Sequence, residues 1–63
     1  MLEPEYIKGM LRVVDYLKER ANVIEKAVEF SSSPDFKRTH QLKALALREA
    51  AYMIEQGIER SKL

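Results

Sequence analysis

His40 is the only histidine in the 63 residues and the one conventional acid–base candidate. General acid–base work needs a partner within hydrogen-bond reach and a positioned substrate. No Ser/His/Asp or Cys/His arrangement lies near it, and cysteine is absent altogether. A single histidine builds no zinc site, and no HExxH, ExxH or EF-hand spacing occurs. Glu55 and Glu59 are one helical turn apart, but a carboxylate pair without histidine reads as a solvated face. There is no glycine-rich phosphate loop. The chain is therefore expected to be no enzyme and to hold no cofactor and no metal, with His40 a partly buried, hydrogen-bonded side chain.

Charge offers a second kind of chemistry. Between Phe36 and Arg48 stand four cations, Lys37, Arg38, Lys43 and Arg48, with His40 among them and no acid. The segment opens at an expected helix N-terminus, where backbone N–H groups already favour anions. It would suit nucleic-acid phosphates or an acidic protein. The four cations point several ways round a helix, however, so a solvated end is the plainer reading and nucleic-acid binding the alternative. The net charge of +1 and pI near 8.0 are not those of a polyanion binder.

The elements that must carry these residues are two helices. Ile7, Met10, Val14, Leu17, Ala21, Ile24 and Val28 recur at alternating steps of three and four, a heptad seam that only a helix aligns. A second apolar row, Val13, Tyr16, Val23, Ala27 and Phe30, runs beside it, with Arg20 as its one charged member. Pro4 fits a first helical turn, and Glu3 and Glu5 suit the positive end of the helix dipole. The spacing predicts a helix over about 4–30, with Arg12–Asp15 and Lys26–Glu29 able to pair along it. Gly9 reads as a tolerated surface glycine.

Ser31-Ser32-Ser33-Pro34-Asp35 breaks the heptad. Ser33 is the expected N-cap, Pro34 the first helical residue and Asp35 an acid in the first turn. The second helix is expected over about 34–61, with Ala44, Leu47, Ala51, Ile54 and Ile58 as its seam and Phe36 and His40 on the same side. A turn at 31–33 forces the helices antiparallel; one bent helix through the serines is disfavoured by Pro34. The expected fold is an all-α two-helix hairpin forming a single domain.

Sixty-three residues lie near the lower limit for a stable single core, and without disulfides or a metal self-association is the expected source of extra burial. The second row of the first helix, with Val13, Tyr16, Val23 and Phe30, has no partner in a lone hairpin. Leu45 and Tyr52, seven apart on the otherwise polar side of the second helix, form a further ridge that Leu63 would continue. These six residues are the expected interface. A homodimer closing into a four-helix bundle is the simplest cover for the row on the first helix. The Leu45/Tyr52 ridge reads equally as part of that contact or a docking ridge for a partner and as scattered surface apolars that need no cover. No apolar run reaches the roughly 18 residues of a membrane span, and the N-terminus does not read as a signal peptide, so a cytoplasmic protein without a membrane partner is expected.

The segment LEPEYIKGMLRVVDYLKERANVIEKAVEF, with the length of the chain, resembles small accessory proteins of temperate lambdoid phages, those encoded in the early region between the exonuclease and excisionase genes. The resemblance implies a non-enzymatic helical protein that modulates phage or host development, with a host protein as a partner; it carries no motif and assigns no residue a role. The overall plan also looks like that of a plasmid copy-number regulator, a dimer of helical hairpins that binds paired RNA loops.

Overall fold

The computed structural model describes residues 3–62, which form two helices, α1 (Pro4–Phe30) and α2 (Pro34–Ser61), packed against each other as a hairpin. Glu3 is extended and its carbonyl accepts the Ile7 N–H at 3.1 Å, while Pro4 fills the first turn at no cost in donors. Ser31 is again extended and its N–H returns to the Val28 carbonyl. The Ser33 hydroxyl accepts the Phe36 N–H at 3.3 Å, and the Ser33 N–H donates to the Ser31 hydroxyl at 3.2 Å. The reversal is thus built from extended serines and a capping hydroxyl, and no described residue outside glycine takes a positive φ.

The buried core is narrow. Val14, Ala21 and Val28 on α1 meet Ala44, Ala51 and Ile58 on α2, each set spaced by seven. Three of the six are alanines, which lets the axes approach closely. The remaining seam positions Ile7, Met10, Leu17, Ile24, Leu47 and Ile54 are only half-buried, and so is His40. Phe36 stays exposed at the turn end. The result is a thin slab, 47 × 15 × 10 Å across its Cα atoms. Among the described residues no helix is long and apolar enough to cross a membrane.

Candidate interaction surface

The two long edges of the slab differ. Lys18 and Glu25 lie four residues beyond Val14 and Ala21, on one side of the seam; Leu17 and Ile24 lie three beyond them, on the other. The first side is closed by ion pairs. Lys18 Nζ stands 3.3 Å from Glu55 Oε1. Arg48 grips Glu25 with two bonds, Nη2 to Oε1 at 2.6 Å and Nε to Oε2 at 2.9 Å, and Nη2 also reaches Asn22 Oδ1 at 2.7 Å. The Arg48 hydrogen bond lowers the Glu25 carboxyl below its usual range, against a smaller opposing push from burial. The i,i+3 pairs expected at Arg12–Asp15 and Lys26–Glu29 are not among the ion pairs of the described residues; their place is taken by contacts across the hairpin and by Lys62–Glu59 at 3.5 Å.

Among the described residues the second side has no such closure. Met10, Leu17 and Ile24 from α1 and Leu47 and Ile54 from α2 form its half-exposed floor. The flanking row of α1 is open to solvent: Val13 is 47% exposed, Tyr16 63%, Val23 48% and Phe30 89%. A shallow groove lined by Tyr16, Arg20, Ile24, Lys43, Ala46 and Leu47 follows the floor. Nearer the chain ends a notch opens between Tyr6, Gly9, Met10 and Val13, with Glu3 and Glu5 at its mouth. Between Tyr6 and Arg60 the helical rows on this side carry no acid, and their cations are Arg20, Lys43 and Arg60; the other acids fall in the rows of the opposite side.

Two features of this surface are compatible with a partner lying on it. Glycine inside a helix costs roughly 1 kcal/mol against alanine, yet a Cβ added at Gly9 or Gly57 meets nothing within 4 Å. The accessible surface is 5204 Å², whereas a folded monomer of 7.3 kDa is expected to expose about 4,200 Å². The excess, on the order of 1,000 Å², is comparable to the roughly 800 Å² that each partner contributes to a stable protein–protein interface.

The expected interface residues divide between the two sides. Val13, Tyr16, Val23 and Phe30 border the open face, whereas Leu45 and Tyr52 stand exposed on the reverse, in the same row as Arg38. Leu63 lies outside the described residues. Sequence periodicity alone did not single out Tyr6 or Leu42, both exposed; Tyr6 is seven residues before Val13, and that spacing was the available signal. The four cations of the basic segment are not brought together. Lys37 follows the buried row at the turn end, Arg38 projects from the reverse, Lys43 borders the open groove and Arg48 is engaged by Glu25 and Asn22. His40 stacks on Phe36, ring centroids 3.9 Å apart, and its Nδ1 is 3.0 Å from the Phe36 carbonyl oxygen. No acid contacts it in this way, and no group of metal-ligating side chains occurs among the described residues.

No family model, curated protein or solved structure matches the chain.

Proposed function

We propose that the protein is a protein–protein interaction module that works as a homodimer, two hairpins joined through their open faces into a four-helix bundle. Binding is its activity, and its role is regulatory and cytoplasmic. The observation that carries the reading is the unclosed side of the hairpin: a full-length apolar face on a molecule that exposes about 1,000 Å² more than a compact chain of its mass. A second copy supplies a face of equal length and character, and the union gives each helix two neighbours instead of one. The likeness of the first helix to phage early-region accessory proteins fits a regulator of phage or host development that recruits its target through the surface left over, where Leu45 and Tyr52 stand.

Sedimentation equilibrium tests the proposal. The expected mass at micromolar concentration is twice 7.3 kDa, with melting that shifts upward as protein concentration rises. A fully helical monomer with concentration-independent melting overturns it.

A further inference from the structure

We infer that the two copies meet with α1 of each lying against the partner's α2 and with both turns at the same end of the bundle. This rests on the self-association proposed above and deepens it.

The hairpin sets the register. The bridges hold Lys18 near the height of Glu55, and Arg48 between Asn22 and Glu25. To within about a turn this sets the buried row of α1, Val14, Ala21 and Val28, beside Ile58, Ala51 and Ala44 of α2. One row further round, on the open side, Val13, Arg20 and Ala27 stand at the heights of Gly57, Ala50 and Lys43 to within about a turn. A two-fold axis parallel to the helices preserves those heights between copies. Val13 then faces the partner's Gly57, Arg20 the partner's Ala50, and Ala27 the partner's Lys43. Each layer sets a large side chain against a small one, the condition for interdigitation. Each cation meets an alanine, along which its aliphatic stem can lie while the charge stays in water. Gly57, which no contact inside the hairpin requires, becomes the place where the partner's α1 backbone comes closest.

The end-for-end alternative fails on charge. The slab is 47 Å long and α1 starts at one end of it, so at about 1.5 Å per residue its middle falls near residue 20. Full overlap with the ends reversed sets Arg20 against the partner's Arg20 at the axis. Sliding the copies apart to avoid that meeting forfeits apolar contact.

A nitroxide at Ser32→Cys, in a chain with no other cysteine, reads the arrangement by pulsed dipolar spectroscopy. Ser32 is exposed in the turn. The expected separation is that of two hairpins side by side, under about 25 Å for helices of roughly 10 Å diameter. A dimer with its labels about as far apart as the 47 Å slab is long overturns this arrangement and leaves the dimer standing. Absence of any dipolar signal, with a monomeric mass, overturns both. Gly57→Leu supplies a second reading: leucine favours the helix over glycine, so helicity holds or rises while the dimer weakens at least about tenfold. Undiminished association of that variant overturns the inference.

Discussion

Two adjacent valines separate the inner seam from the outer face. Val14 is 2% exposed and packs in the hairpin core, whereas Val13 is 47% exposed and borders the open side. Val14→Asp places an unpaired carboxylate between the helices, a change in the class that costs several kcal/mol, and the hairpin is expected to unfold. Val13→Asp changes little within a single hairpin, because its carboxylate turns to water. In the proposed dimer the change is magnified. Burying the open half of a valine side chain is worth about 1 kcal/mol, and stranding a carboxylate at the contact adds at least a further 1 kcal/mol. By symmetry both apply twice, for a total of about 4 kcal/mol, or roughly a thousandfold in the dissociation constant. Sedimentation across a hundredfold concentration range, with circular dichroism on the same samples, reads both effects. Val13→Asp with wild-type mass and wild-type concentration dependence refutes the covered face. Val14→Asp with full helicity refutes the seam.

Other expectations are local. Ser33→Ala removes the hydroxyl that accepts the Phe36 N–H and should destabilise the protein by about 1 kcal/mol, with Ser33→Gly costing less; equal melting of the alanine variant and wild type rejects the cap. Glu25 should titrate below the ordinary carboxylate range because Arg48 hydrogen-bonds its charged form. Its folded value is depressed, so its contribution to stability is present above the unfolded carboxylate range and lost as pH falls through the folded value. The Glu25 midpoint followed by NMR should rise back toward the ordinary carboxylate range in Arg48→Met, and an unmoved midpoint rejects the pairing.

The hairpin was legible because burial on a helix has a strict period. Val14, Ala21, Val28, Ala44, Ala51 and Ile58 all fall on the two seams that spacing picks out, and the serine–proline punctuation coincides with the reversal. Less legible was how unevenly the seam is covered. Met10, Leu17 and Ile24 satisfy the same heptad as Val14 and Ala21 yet stay half-open, because α2 lies toward one border of a broad apolar arc. That border is the one where Lys18 meets Glu55 and Arg48 meets Glu25 across the hairpin. Both pairs are distant in sequence, and of the four residues only Lys18 has an opposite charge one turn away on its own helix, Asp15. Whether Leu45 and Tyr52 share a face with Val13 and Tyr16 or form a separate ridge is likewise open from periodicity. Periodicity places each pair on its own helix, but which row of α1 and which row of α2 are buried against each other decides that they face opposite ways.

The ionic clasp along one border and the hydrocarbon along the other answer oppositely to dissolved salt. Raising ionic strength screens Lys18 from Glu55 and Arg48 from Glu25 at the solvent boundary, and a salting-out anion such as sulfate strengthens the tendency of uncovered apolar rows to leave water. The screened pairs are solvent-exposed and contribute little. The salting-out effect acts on the buried seam of Val14, Ala21, Val28, Ala44, Ala51 and Ile58 as well as on the open rows. In the proposed dimer sulfate is therefore expected to firm the hairpin and the association together.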